Sequence, residues 1–154
     1  MKKILIALDY EESAEKIAKA GYDLAKSMNA SVILLHVTAD PTYYSSLNYS
    51  PIFGFDSFSN LDILQEDAIQ QIEKAALGYV QHMKDRLGDN SIQIEIRSGD
   101  FGDNILDIAA ELNTDIIVMG THSRSALDNF LMGSVAKKVI QKSTIPIFII
   151  PIKD

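Results

Sequence analysis

The fold of this chain is decided by two neighbouring segments, Asp115-Ile116-Ile117-Val118-Met119-Gly120-Thr121-His122-Ser123-Arg124 and Leu131-Met132-Gly133-Ser134-Val135. An apolar run ends at Gly120, a polar stretch follows, and Gly133 opens a helix-spaced apolar pattern that reaches Lys142. This order predicts a strand, a loop and a helix start, where backbone N–H groups can face an anion. Glycine at such a junction also lets a ligand approach the backbone closely. Because any α/β fold contains this order, the spacing alone leaves a phosphate site and a plain connection equally open.

Length and composition limit the class of protein. The 154 residues suit one domain, residues 1–154, with a core large enough to fold unaided. Apolar residues make up 47% and charged residues 23%, which is typical of a soluble globular protein. The sequence has no cysteine, which excludes disulfides and thiolate metal sites. The formal charge of -7 argues against nucleic acid or an anionic membrane as a partner.

No segment of the sequence is typical of export or of membrane insertion. The apolar run from Ile4 to Leu8 is too short for a signal peptide and leads directly into acidic residues. No apolar stretch approaches the length that spans a bilayer. We therefore expect a cytoplasmic protein.

Strand and helix patterns alternate along the chain. Strands are predicted at residues 4–8, 31–37, 92–96, 115–119 and 146–151, and helices at 13–28, at 61–87, after a cap at Asp103, and at 133–142. Asn29 and Gly88 are placed to end the first two helices. The predicted core-facing stripe comprises Leu64, Ala68, Ile69, Ile72, Ala76, Tyr79, Val80, Met83 and Leu87 in the second helix, and Val135, Ala136, Val139 and Ile140 in the last. This alternation predicts a single doubly wound α/β domain with a five-stranded parallel sheet and helices on both faces.

The polarity of each strand predicts the strand order. The first, second and fourth strands are the most apolar and belong in the middle, whereas the third alternates and the fifth is flanked by prolines. The expected order is therefore 3-2-1-4-5. Asp9 follows strand one and Gly120 follows strand four, where the winding reverses and open parallel sheets bind ligands. Two residues selected separately thus converge on one predicted ligand site.

Two further segments leave alternatives open. Residues 38–60 form a long connection with several aromatic residues, which is either a lid or partner-contact loop, or a variable insertion packed on the surface. The last strand, from Pro146 to Pro151, is an edge by its prolines but is too apolar to face water. Either it pairs across a two-fold axis in a homodimer, or another part of the chain covers it.

The sequence resembles the universal stress protein family over the whole chain except residues 38–60. The resemblance rests on Lys3-Ile4-Leu5-Ile6-Ala7-Leu8-Asp9, Leu34-Leu35-His36-Val37, Gly120-Thr121-His122-Ser123-Arg124-Ser125-Ala126, Leu131-Met132-Gly133-Ser134-Val135-Ala136 and Ile145-Pro146-Ile147-Phe148-Ile149-Ile150-Pro151. The nucleotide-binding branch of that family carries Gly, two residues, Gly, nine residues, Gly, then Ser or Thr. Gly120, Gly133 and Ser134 match this motif, whereas Ser123 replaces the middle glycine.

The resemblance implies a stress-response module that binds ATP and has little or no catalytic activity. The edge strand adds the expectation of a dimer, and Mg²⁺ is a further candidate ligand. The implied contacts are Asp9 and the Val37 backbone for adenine, Gly120 for ribose, and Ser123, Gly133, Ser134 and Val135 for the phosphates. A Ser134 hydroxyl at a helix start can bond a phosphate oxygen or Mg²⁺. In the same loop, His122 is a candidate ligand contact, and Arg124 is either a phosphate partner or a solvated charge.

Ser123 decides whether such a site is open. If this position requires a positive φ, serine costs about 1 kcal/mol or more where glycine costs nothing, and its side chain crowds the phosphates. A serine hydroxyl can instead donate to a phosphate oxygen. The alternative function is therefore a nucleotide-free dimeric stress protein that acts through protein–protein contacts.

Other chemistries lack their residues. His36 is expected to be a packed core residue and His82 a solvated one, and no second ligand accompanies His122 at metal-site spacing. The sequence has neither a Walker A lysine nor a nucleophile elbow. A response-regulator receiver needs an acceptor aspartate after strand three, where Arg97 and Ser98 stand instead. An enzyme with more than slow ATP hydrolysis is not expected.

Overall fold

The computed structural model describes residues 1–9, 12–39, 65–121 and 132–152. Its elements are β1 (Lys3–Leu8), α1 (Ala14–Ser27), β2 (Ser31–Thr38), α2 (Gln65–Leu87), β3 (Gln93–Ser98), α3 (Phe101–Glu111), β4 (Ile116–Gly120), α4 (Ser134–Lys142) and β5 (Ile147–Ile150). The predicted helical residues 61–64 and most of the long connection, residues 40–60, lie outside the described ranges.

The five strands form one parallel sheet in the order β3-β2-β1-β4-β5. The predicted strand order and fold class are therefore confirmed, including the two edge strands. The central strand β1 is almost completely buried because it pairs with β2 on one side and with β4 on the other. Within the described residues, no helix is both long and apolar enough to cross a membrane.

Each face of the sheet packs against two helices, because successive strand side chains point to opposite faces. Ile4 and Ile6 belong to the cluster that includes buried residues of α1 and α2. Leu5 and Ile117 belong to the cluster that includes buried residues of α3 and α4. The continuous apolar run of β1 follows from this arrangement, since both of its faces are covered.

The helix ends follow the predicted caps in two cases and differ in the third. Gly88 directly follows α2 and Asn29 follows the C-cap residue of α1, and both adopt positive φ, 70° and 52°, as expected at helix C-termini. The predicted cap at Asp103 is wrong. Asp100 caps α3 instead, with its carboxylate accepting a hydrogen bond from the Asp103 backbone N–H at 2.9 Å. Asp103 therefore lies in the first turn of the helix, where its carboxylate interacts favourably with the helix dipole.

Most of the predicted core-facing stripe is buried or half-buried, but two of its residues are exposed. Ile69 is 44% exposed and Ile140 is 41% exposed. Each directly follows a buried residue, Ala68 and Val139, and so is turned about 100° around the helix away from the sheet. The periodicity predicted a stripe that was wider than the surface each helix rests on. Leu64, the first residue of the predicted stripe, lies outside the described ranges.

Candidate functional site

The carboxyl edge of the sheet brings several predicted site residues onto neighbouring strands. Leu8, the last residue of β1, pairs with His36 of β2, so Asp9 comes next to Val37 at the following position. Ile6 pairs with Val118, and two steps further the same register sets Leu8 beside Gly120. Asp9, Val37 and Gly120 therefore lie at one edge, where the order of strands reverses between β1 and β4.

Gly120 is required by the packing of the protein itself. A Cβ atom at this position would lie 2.7 Å from Cδ1 of Ile17 in α1 and 3.2 Å from Cγ1 of Ile152. Ile17 is almost completely buried and has little room to move. The space that a Cβ at position 120 would occupy is thus filled by side chains of helix α1 and of the segment that follows β5. The sequence pattern had suggested close approach by a ligand.

The start of α4 presents backbone donors at the same edge. Gly133 has an extended backbone, with φ −72° and ψ 166°, and its carbonyl oxygen accepts the first helical bond from the Lys137 N–H at 3.0 Å. The N–H groups of Ser134, Val135 and Ala136 precede that bond. No acceptor for them is found within the described part of the chain. Such first-turn donors, aligned with the helix dipole, favour an anion.

Thr121 joins the end of β4 to the start of α4 and to β5. Its carbonyl oxygen accepts a hydrogen bond from the Gly133 N–H at 2.6 Å, and its own N–H donates to the Ile150 carbonyl at 3.1 Å. Its hydroxyl oxygen accepts from the Ile152 N–H at 3.0 Å. The loop ends that would flank a phosphate group are therefore tied to the edge strand.

His36 is a buried residue at the carboxyl end of β2. It is only 2% exposed, and its Nδ1 lies 2.7 Å from the Leu8 carbonyl oxygen. Because a carbonyl oxygen can only accept, Nδ1 carries the proton. Burial lowers the pKa of His36 from 6.5 to about 4, against the opposing effect of the Leu8 carbonyl, so the ring is neutral near pH 7. The predicted role of a packed, hydrogen-bonded core residue is confirmed.

Tyr79 of α2 contacts the same end of β1. Its hydroxyl donates to the Asp9 carbonyl oxygen at 2.6 Å, and its ring meets the edge of His36 at a centroid distance of 5.7 Å and an angle of 72°. The sequence placed Tyr79 in the core-facing stripe of α2 but did not predict this contact. The available signal was the hydroxyl, since Tyr79 is the one stripe residue with a polar tip.

The remaining predicted contacts cannot be located in the same way. His122, Ser123 and Arg124 lie outside the described residues, so the predictions for them stand as predictions. His82 is exposed on α2, as expected. In the described ranges, no group of three or more His, Asp or Glu side chains is arranged to hold a metal ion.

Three comparisons relate this chain to known proteins. The model of the universal stress protein family matches residues 1–151. Universal stress protein MJ0577 of Methanocaldococcus jannaschii is 29% identical, covering 99% of this chain and 96% of its own. Universal stress protein YxiE of Bacillus subtilis is 28% identical, covering 96% and 97%. The solved structure of MJ0577 has a TM-score of 0.77 at 27% identity, covering 99% of this chain and 97% of its own. A universal stress protein in complex with cAMP shares the fold, with a TM-score of 0.64 at 19% identity, covering 97% and 96%.

Proposed function

Because the chain belongs to the universal stress protein family, we propose that it is a stress-response module that binds ATP at the carboxyl edge of the sheet. The adenine is assigned to Asp9 and the Val37 backbone, and the ribose to Gly120. The phosphates are assigned to the start of α4, at Ser134 and Val135, with Gly133 and Ser123 beside them. His122 and Arg124 complete the proposed contacts from the loop.

One observation carries this proposal. Residues from three strands and the first turn of α4 converge at the edge where the strand order reverses, and that first turn presents N–H groups without acceptors in the described ranges. A triphosphate supplies the negative charge that a helix start favours. The Ser134 hydroxyl lies at the first position of the helix, where it can bond a phosphate oxygen or a phosphate-bound Mg²⁺.

The proposed role is binding rather than turnover. His36 is buried and neutral near pH 7, with its Nδ1 proton directed to a backbone carbonyl, so it is poorly placed to act as a general base. Phosphoryl transfer also needs groups that neutralise the developing charge, and Arg124 is the one cationic side chain predicted for this site. We propose ATP as a bound ligand that is hydrolysed slowly or not at all, in a cytoplasmic protein without a nucleic-acid or membrane partner.

A homodimer through β5 forms the second part of the proposal. Within the described sheet, β5 pairs with β4 alone, and Phe148 in its centre is 44% exposed. An exposed apolar edge strand favours pairing with another chain, and a two-fold axis satisfies both copies at once. We assign the dimer contact to the strand from Pro146 to Pro151.

One observation favours the alternative, a nucleotide-free module that acts through protein contacts. The Gly133 N–H already donates to the Thr121 carbonyl, so one of the expected phosphate donors is engaged within the protein. This reduces the number of backbone donors that the site offers, and serine at the middle glycine position of the motif adds a side chain that crowds the phosphates. The alternative retains the fold and the dimer.

The test is nucleotide binding by the purified protein. Thermal unfolding is followed with ATP and Mg²⁺, with ATP and EDTA, and with GTP as a control for the base. A ligand that binds only the folded state raises the melting temperature, so the proposal expects a concentration-dependent rise with ATP. Denatured protein is also analysed for co-purified nucleotide. No rise at millimolar ATP, together with no co-purified nucleotide, would favour the nucleotide-free alternative.

A further inference from the structure

We infer that His36 and Tyr79 are positioning residues that fix the backbone of Leu8 and Asp9, and through it the base-binding end of the nucleotide site. We call this pair of side chains the carbonyl clamp. The inference rests on the proposed function, because it concerns the same site and assigns a residue of α2 to it.

The clamp holds two successive carbonyl groups from two different elements. His36 of β2 donates to the Leu8 carbonyl at 2.7 Å, and Tyr79 of α2 donates to the Asp9 carbonyl at 2.6 Å. Leu8 is the last residue of β1, so the Asp9 carbonyl lies beyond the strand. Side chains therefore donate hydrogen bonds to the backbone carbonyl groups at the end of β1 and just beyond it.

The two side chains also hold each other. The rings meet edge to face, a favourable arrangement for aromatic pairs. His36 is buried, and Tyr79 packs against the cluster between the sheet and α1 and α2. Neither donor can shift far without disturbing that cluster, so the position of Asp9 is set by the packing of α2 on the sheet.

The clamp acts at one end of the proposed site only. Asp9 lies beside Val37, where the adenine is assigned, whereas the phosphates are assigned to the start of α4. The start of α4 is held by a separate bond, from the Gly133 N–H to the Thr121 carbonyl. Loss of the clamp should therefore weaken recognition of the base and leave phosphate binding unchanged. A residue with a merely structural role would weaken both.

The test compares Tyr79→Phe with Tyr22→Phe. Tyr79→Phe keeps the ring and removes only the donor to Asp9. Tyr22 is the matched control, because it is also a part-buried tyrosine and its hydroxyl donates at 2.9 Å to Asp89, a residue outside the clamp. Calorimetry measures binding of ATP and of inorganic triphosphate, and hydrogen exchange is followed in the peptide spanning residues 5–13.

Tyr79→Phe should weaken the binding of ATP about fivefold, as expected for the loss of one hydrogen bond. The same variant should bind inorganic triphosphate as the wild type does. Exchange in residues 5–13 should accelerate, and Tyr22→Phe should match the wild type in each measurement. Equal loss of ATP and triphosphate binding, or unchanged ATP binding and exchange, overturns the inference. If the wild type binds no ATP, the proposed function and the role of the clamp in recognising the base are both overturned. In that case, faster exchange in Tyr79→Phe would still identify a backbone clamp.

A second pair of variants tests the His36 half of the clamp. His36→Asn keeps an N–H donor near the position of Nδ1, whereas His36→Leu removes it. If this donor fixes the Leu8 carbonyl and thereby the backbone at Asp9, the asparagine variant should bind ATP more tightly than the leucine variant. Equal ATP affinities in two folded variants would remove His36 from the clamp.

Discussion

The backbone nitrogen of Gly133 lies 2.6 Å from the carbonyl oxygen of Thr121 and donates a hydrogen bond to it. This bond ties the start of α4 to the end of β4, although 12 positions separate the two residues in the sequence. It also withdraws the Gly133 N–H from the donors available to a phosphate. In the proposed site, Gly133 therefore positions the helix start, and Ser134 and Val135 carry the backbone donors.

Replacing Ser123 by glycine should strengthen ATP binding. If the motif requires a positive φ here, glycine removes a strain of about 1 kcal/mol, which corresponds to about fivefold in affinity. Isothermal titration calorimetry with ATP measures the change. Ser125→Gly, a second serine-to-glycine change two positions along the same loop, is the control and should leave the affinity near that of the wild type. Weaker binding by Ser123→Gly would instead indicate that the Ser123 hydroxyl donates to the nucleotide.

Replacing each of two helical glycines by alanine should change the stability of the protein in opposite directions. At Gly21 in α1, a Cβ would lie 2.7 Å from Cδ1 and 2.9 Å from Cγ1 of Ile6, so Gly21→Ala should destabilise the protein by about 1–3 kcal/mol. At Gly78 in α2, no heavy atom of the described residues lies within 4 Å of the added Cβ, apart from its chain neighbours and the backbone of the helix itself. Gly78→Ala should therefore stabilise by about 0.5–1 kcal/mol through helix propensity. Urea unfolding measures both, and a Gly21→Ala protein as stable as the wild type would contradict the close packing of α1 on β1.

His36 should make the folded state less stable as the pH falls from 6.5 to 4. Its pKa is about 4 when folded and 6.5 when unfolded, so the unfolded chain binds the extra proton between these values. The full difference corresponds to about 3 kcal/mol, reached as the pH approaches 4. The measurement is the free energy of unfolding across this range, compared between the wild type and His36→Asn.

The free energy of unfolding should lose most of its dependence on pH between 6.5 and 4 when His36 is replaced by asparagine. His82→Asn is the control, because His82 is exposed on the surface of α2 and should leave the wild-type profile in place. The comparison is confined to pH 4–6.5, since the pKa values of Asp100 and Asp115 are held low by their hydrogen bonds and those groups titrate at lower pH. Parallel profiles for the wild type and His36→Asn would contradict a neutral, buried His36.

A charge in the middle of β5 should separate the proposed dimer. Phe148→Lys places a cation on the exposed edge, where lysine opposes pairing with another strand. Ile69→Lys is the matched control, because Ile69 has the same exposure, 44%, but lies on α2. Light scattering should report a dimer for the wild type and Ile69→Lys, and a monomer for Phe148→Lys. A monomeric wild type at micromolar concentration would remove the dimer from the proposal.

The sequence predicted the larger features because they depend on local patterns. The apolar runs of β1, β2 and β4 and the alternating β3 predicted which strands are central, since burial on both faces favours apolar side chains at successive positions of a strand. Asp103 and Ile69 were misassigned because the competing positions differ by one turn or by one step around a helix. Only the packed neighbours decide between such positions.

The contacts that shape the site could not be predicted from spacing. Tyr79 meets Asp9 across 70 positions, and Ile17 fills the space beside Gly120 across more than 100. These contacts depend on the depth and angle at which α1 and α2 rest on the sheet, and no local pattern specifies either quantity.

The sequence by itself determined the alternation of strands and helices, the strand order, and hence the edge to which Asp9 and Gly120 belong. These follow from which side chains must leave water and from the right-handed connection of parallel strands. The tertiary structure alone decided that Gly120 accommodates Ile17, that the Gly133 N–H is bound by Thr121, and that His36 and Tyr79 hold the carbonyl groups of Leu8 and Asp9. Hydrogen bonds and close contacts depend on distances of a few tenths of an ångström, which exist only once distant segments have packed.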